Sequence, residues 1–170
     1  SEVGRHDLEE QLISIAHRYG MRVLGPNIVG TLSNSDKLNA SFAPFLPFPG
    51  KATLITQSGA LLIAMDAITY TRKIGFDKMI SIGNMSDIDF ADLIEWLDED
   101  DNTTCVALYI EGLKEGRKFL EACRHTHKPA QADVFTQLTH QRLTGFFDRD
   151  TVQLQRRKRC DVGRIPARNQ

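Results

Sequence analysis

The sequence predicts an α/β fold, a parallel β-sheet with helices on both faces, and three observations carry that expectation. Apolar runs at Ala52 to Thr56, Lys78 to Ile82 and Cys105 to Ile110 have the length and composition of buried strands. Each passes through a short polar turn into a segment with apolar residues at helical spacing. The 170 residues are 41% hydrophobic and 25% charged, enough apolar material for one sizeable core. Strands alternating with helices of this size form a parallel sheet covered on both sides.

The elements follow in order. Asp7 can cap a helix whose apolar face is Leu8, Leu12, Ile15 and Ala16, with Glu9 and Glu10 in its first turn and Gly20 as a left-handed stop. Met21 to Leu24 reads as a short strand ended by the turn Gly25-Pro26-Asn27. A loop is expected from there through Asn34-Ser35-Asp36 and on to Gly50. Pro44, Pro47 and Pro49 make its last part an extended linker, which sets a domain boundary near residue 50. After the strand Ala52 to Thr56 comes a helix from Ala60 to Thr71, with Leu61, Ala64, Met65 and Ile68 on one side. The strand at Lys78 to Ile82 leads to a helix from Asp89 to Leu97. The strand at Cys105 to Ile110 leads to a helix from Glu115 to Arg124. A fourth strand is due after His127-Lys128-Pro129, but polar and basic residues take over from Gln131 and no apolar period marks one.

Composition narrows the function classes. A formal net charge of −1 argues neither for a nucleic-acid binder nor for a membrane-surface protein. The longest apolar stretch, Ala60 to Met65, is too short to span a bilayer, and the polar start at Ser1 lacks the core of a signal peptide. The chain opens without Met, as a processed or partial chain does. Cys105, Cys123 and Cys160 are odd in number and contain no C-x-x-C pair, which argues against a disulfide framework or zinc site and for a reducing cytosol.

Ligands of an open parallel sheet sit at the carboxyl ends of its strands. Thr56-Gln57-Ser58-Gly59 lies at one such end. There the free amides and dipole of a helix N-terminus favour an anion, and the hydroxyls of Thr56 and Ser58 are further donors. The plainer reading is that Ser58 only caps the helix. A serine nucleophile is disfavoured, because Thr56 and Ala60 replace the glycines of the G-x-S-x-G elbow. Gly83-Asn84 ends the next strand, and Asp87 or Asp89 caps the helix after it without need of a metal. Glu111 ends the third strand, where a carboxylate can orient a histidine or can simply begin a solvated loop, pairing with Lys114. His6, His17, His125, His127 and His140 have no metal-ligand spacing and read as surface residues. The run Arg156 to Arg159 reads as a solvated tail.

Together these turns resemble one family. Leu24-Gly25-Pro26-Asn27, Leu38-Asn39-Ala40-Ser41-Phe42-Ala43-Pro44, Gln57-Ser58-Gly59-Ala60-Leu61, Ser81-Ile82-Gly83-Asn84, Asp89-Phe90-Ala91-Asp92-Leu93 and Tyr109-Ile110-Glu111-Gly112 are similar, in order and spacing, to motifs of the ADP-forming acetate–CoA ligases, relatives of the succinyl-CoA ligase α subunit. The resemblance runs from about Ser1 to Pro129. It implies that residues 1–50 are the end of a Rossmann-like CoA-binding domain and its linker, and that residues 51–130 are an incomplete flavodoxin-like domain. Residues 131–170 are then a divergent basic tail, explained either by a reading-frame shift or by a genuine divergence.

The family interconverts acyl-CoA, ADP and phosphate with free acid, CoA and ATP, through an acyl phosphate and a phosphorylated histidine. The resemblance assigns Thr56, Gln57, Ser58 and Gly59 to the phosphoryl group, Glu111 to orientation of the histidine, and Asn27 to the turn near the CoA thiol. Thr56 stands where the family usually has Ser, and Ile28 where relatives often have Cys or Ser. The phosphorylated histidine matches no residue of this chain. The implied partners are an ATP-grasp-type nucleotide-binding subunit or domain, coenzyme A and a small carboxylic acid. ADP or ATP and Mg would be bound mainly by regions absent here, so the chain alone is expected to be inactive. Its incomplete sheet should leave it marginally stable and prone to self-association. Two alternatives remain: a non-catalytic regulatory module of the kind fused to a lysine acetyltransferase, and a stand-alone CoA or nucleotide binder.

Overall fold

From Ala52 the chain is buried without a break to Thr56, as a strand covered on both faces must be. The computed structural model describes residues 6–134. Their elements are α1 (His6–Arg18), β1 (Gly30–Ser33), β2 (Leu38–Ser41), β3 (Pro49–Thr56), α2 (Gly59–Arg72), β4 (Phe76–Ser81), α3 (Phe90–Asp98), β5 (Cys105–Ile110), α4 (Gly116–His125) and β6 (Ala130–Val134). They build a six-stranded sheet of order β2-β1-β4-β3-β5-β6. The β4, β3, β5 and β6 neighbours run parallel, while β1 is antiparallel to both β2 and β4. The α/β, flavodoxin-like expectation holds, with an antiparallel hairpin added at one side.

Alternate residues of the central strands feed two cores. Ile55, Ile80, Val106, Leu108 and Ile110 pack with Phe90, Ile94 and Leu97 of α3 and with Phe119 and Ala122 of α4. Leu54, Met79 and Phe76 pack on the other face with Leu62 of α2 and Leu32 of β1. α3 starts on a capping box, in which Asp89 accepts from the Asp92 amide and the Asp92 side chain accepts from the Asp89 amide. Thus α2 covers one face of the sheet, and α3 and α4 the other.

Several expectations need correcting. Residues 30–41, read as part of a loop, form the β1–β2 hairpin, and Thr31, Leu32 and Ser33 pair with Ile80, Met79 and Lys78. β2 is mostly exposed, so it carries no apolar run for a sequence reading to find. Met21 to Leu24 is not a strand. It is nonetheless tied down, since the Ile88 amide donates to the Val23 carbonyl at 3.2 Å and the Val23 amide donates to Asp87 at 2.6 Å. The predicted inner face of α2 is also misplaced. Leu62, Asp66 and Thr69 are buried, whereas Ile68 is 41% exposed. Thr69 belongs inside because its hydroxyl accepts from the Phe48 amide at 3.0 Å and donates to the Asp66 carbonyl at 2.7 Å.

A fourth parallel strand does form after Pro129. β6 pairs with β5 from Val106↔Ala130 to Ile110↔Val134. As the outer strand it needs only main-chain partners on one side, so a polar sequence can occupy it. The tail assigned to residues 131–170 otherwise lies outside the described residues from 135 on. On α1, Leu8, Leu12 and Ile15 are 45%, 44% and 51% exposed, and only Ala16 is buried.

Candidate functional site at the carboxyl ends of the strands

The parallel strands place Thr56, Ser81 and Ile110 at one edge of the sheet, and each is followed by a polar turn. After β3, the Thr56 side chain is fully buried. Its hydroxyl accepts from the Ser58 amide at 2.9 Å and donates to the Ser58 carbonyl at 3.1 Å. Ser58 is the N-cap of α2, its Oγ accepting from the Leu61 amide at 3.3 Å. Both hydroxyls are therefore spent on shaping the turn. Among the described residues the amides of Gly59 and Ala60 keep no partner, as first-turn helix donors do. A Cβ at Gly59 would lie 2.4 Å from Cγ2 of Val29, so only glycine lets the 27–29 segment press against the start of α2.

Gln57 reaches sideways. Its amide donates to the Tyr109 carbonyl at 3.3 Å, and its side-chain Oε1 accepts from the amides of Glu111 and Gly112 at 2.7 and 3.0 Å. Glu111 itself is exposed, and its carboxylate has no partner among the described residues. So Gln57 joins two of the predicted site segments through the main chain of one of them.

After β4, Gly83 has φ +50°, and a Cβ there would meet the carbonyl oxygens of Pro26 and Asn27 at 2.2 and 2.4 Å. That approach lets the Asn84 amide donate to Pro26 at 3.0 Å, while Asn27 Nδ2 lies 3.4 Å from Asn84 Oδ1. Ser81 Oγ accepts from the Val29 amide at 3.3 Å. The 25–29 segment thus touches the start of α2 and the end of β4. Asn27 is exposed, beside the turn that follows β4.

Two residues that sequence reasoning missed complete the arrangement. Glu9 of α1 receives Asn84 Nδ2 at 2.5 Å and Ser86 Oγ at 2.8 Å, and those two hydrogen bonds, Ser86 first, hold its carboxyl below the ordinary value. In the sequence Glu9 is only an acid in a helix first turn. Asn84, noted as half of a turn, proves to bridge Glu9 and Asn27. Asp87 works nearby as an anchor. Burial opposes its charge, but the Val23 amide, Arg22 at 2.9 Å and His17 at 3.3 Å outweigh burial and lower its pKa. A cleft of about 420 Å³ lies between α1 and these turns, lined in part by Glu9, His17, Ser86 and Lys114.

His6, His17, His125 and His127 are all exposed, and His140 lies outside the described residues. Among the described residues, no three His, Cys, Asp or Glu side chains gather as a metal would require, and no helix is long and apolar enough to cross a membrane. The chemistry on offer is anion binding at a helix N-terminus beside an unpaired carboxylate.

Residues 49–132 match the family model described as succinyl-CoA ligase like flavodoxin domain, a span that takes in the whole of β3 through α4 and both ends of the Gln57 bridge. Residues 49–132 belong to that family. The succinyl-CoA ligase-like chain is 47% identical over 121 residues to subunit alpha of an ADP-forming acetate–CoA ligase of Pyrococcus furiosus, covering 71% of this chain and 26% of that one. It is 44% identical over 128 residues to an ADP-forming acetate–CoA ligase of Methanocaldococcus jannaschii, covering 75% of this chain and 18% of that one. Among solved structures it superposes on acetyl-coenzyme A synthetase 1 of Ca. Korarchaeum cryptofilum, determined with phosphate and ADP. The TM-score is 0.75 with 42% identity, over 78% of this chain and 30% of the other. The succinyl-CoA ligase-like chain thus spans less than a third of each of these relatives.

Proposed function

We propose that this chain is part of an ADP-forming acyl-CoA ligase and that its strand-end edge receives a phosphoryl group carried on a histidine. The reading rests on one observation: unpartnered amides at the start of α2 and the unpaired Glu111 carboxylate are tied to the same edge by Gln57. The whole reaction interconverts acyl-CoA, ADP and phosphate with acid, CoA and ATP, and the 42–47% identity to acetate-linked relatives favours a small carboxylic acid.

In this reading the amides of Gly59 and Ala60 donate to phosphoryl oxygens. The dipole of α2 stabilises their charge, and the Thr56 and Ser58 hydroxyls hold the turn in shape. Glu111 accepts the N–H of the imidazole, leaving the opposite ring nitrogen free to attack the acyl phosphate as the carboxylate departs. Asn27 lies on the side where the CoA thiol would enter. Coenzyme A supplies the thiol that the acid is joined to. The histidine, most of the CoA site, and the ADP or ATP and Mg sites come from outside the described residues. An ATP-grasp-type subunit or domain is the expected nucleotide partner.

The test is a segment exchange. Residues 1–129 replace their counterpart in the Pyrococcus furiosus subunit alpha, which is assembled with its companion subunit and assayed for ATP formation and acid-labile phosphate on protein. The exchanged enzyme is expected to work, and Glu111→Gln in it to lose about 10²–10³-fold in rate. Equal rates with and without Glu111→Gln would sink the assignment.

A further inference from the structure

We infer that Gln57 is a positioning residue, whose carboxamide oxygen fixes the direction of Glu111 by holding its main chain. The inference rests on the role proposed for Glu111 and goes beyond it by separating Gln57 from the phosphoryl contacts. Both atoms facing the carboxamide are amide donors, Glu111 N at 2.7 Å and Gly112 N at 3.0 Å, so the group facing them is the oxygen. One carbonyl oxygen has two lone pairs, and here both are filled. The Gln57 amide also donates to the Tyr109 carbonyl. A single residue thus carries the β3–β5 ladder past its last strand pair, Thr56↔Tyr109, to Gly112.

The need for such a clamp follows from what Glu111 lacks. Its side chain is exposed and has no partner among the described residues, and Gly112 beside it has nothing within 4 Å of a Cβ position. An orienting carboxylate loses its value when its backbone wanders, because productive geometry demands placement within a fraction of an ångström. Here that placement comes from 54 residues earlier in the chain. Gln57 is half-buried and outside both apolar cores, so its replacement leaves the packing intact.

Two measurements test this. In the ¹⁵N-labelled full chain, Gln57→Leu is expected to speed amide exchange at Glu111 and Gly112 by about tenfold or more, with the centre of β3 unchanged, while Gln57→Glu keeps them protected. In the exchanged ligase, kcat is expected to fall in the order wild type, Gln57→Glu, Gln57→Leu. Leu should cost about tenfold, with KM for the acid within about twofold of wild type. Unchanged exchange in Gln57→Leu would overturn the clamp. The reversed order, with Gln57→Glu worse than Gln57→Leu, would overturn it in favour of a phosphoryl contact, since an added carboxylate repels the anion. A full-rate Gln57→Leu beside a disabled Glu111→Gln would refute Gln57 alone, whereas full rates in both would refute the reading of Glu111.

Discussion

At the amino ends of β3, β4 and β5 the polar groups are buried and answer one another, whereas at the carboxyl ends several stand open. Lys78 and Asp77, side by side on β4, are both buried, and Lys78 Nζ meets Asp77 at 2.5 Å and Asp100 at 2.7 Å. Asp77 also accepts from the Ser35 amide and hydroxyl, and Asp100 accepts from Thr103, whose hydroxyl lies 2.8 Å from that of Thr53. Every partner is another side chain or amide of the fold. At the opposite end Gly59, Ala60 and Glu111 present donors and an acceptor that the described residues do not use. Satisfied polar groups fix a sheet, and open ones at its rim are free for solvent or a ligand.

The comparison is broken most sharply at Lys78. Lys78→Met takes the cation from the buried Asp77 and the partly buried Asp100 and should cost about 3–5 kcal/mol in urea unfolding. A loss under about 1 kcal/mol would mean the network is decorative. Acid should act on the same end. Burial works against the charge of Asp100, but Lys78, Thr103 and the Asn102 amide prevail and bring its pKa to about 2. Its stabilisation is present above its unfolded value of 3.8 and disappears as pH falls through about 2, which pH-dependent unfolding with and without Asp100→Asn would show.

Smaller effects belong to α2. Ser58→Ala removes the cap and should cost about 1 kcal/mol in the same unfolding assay. Asp66 is buried with Oδ1 unpaired, and desolvation raises its pKa. The folded state therefore holds its proton more tightly, and Asp66 penalises stability increasingly as pH rises above the unfolded value of 3.8. Asp66→Asn should stabilise the chain at pH 7 by about 1 kcal/mol and remove that slope. The smallest change is expected at the open end. Glu111→Gln should move stability by less than about 0.5 kcal/mol, as a surface substitution does, so any rate lost with it is chemical in origin.

The sequence was most legible where one element suffices to decide its own state. β5 has the predicted bounds, Cys105–Ile110, and α3 and α4 begin within a residue of expectation, because apolar period and caps are local signals. β2 and β6 were hidden because edge strands are held by main-chain pairing, which leaves no mark in hydropathy, and β1, though inside the sheet, is only four residues long. α2 was turned the wrong way because Asp66 and Thr69 occupy its inner stripe. At the rim, Thr56 to Gly59 and Glu111 could be picked out as strand ends. Gln57 on Glu111 and Glu9 on Asn84 span 54 and 75 residues, and no local pattern encodes a contact of that range.

The attachment of α1 has a consequence of its own. The helix keeps Leu8, Leu12 and Ile15 turned largely to solvent and is fastened at the rim by Glu9, with His17 meeting the Asp87 that anchors the segment after it. The joint is made by short charge-assisted contacts rather than by apolar packing. Glu9→Ala should therefore free the helix from the rim while leaving the sheet behind it whole, making that one carboxylate a handle on the rim that does not touch the core.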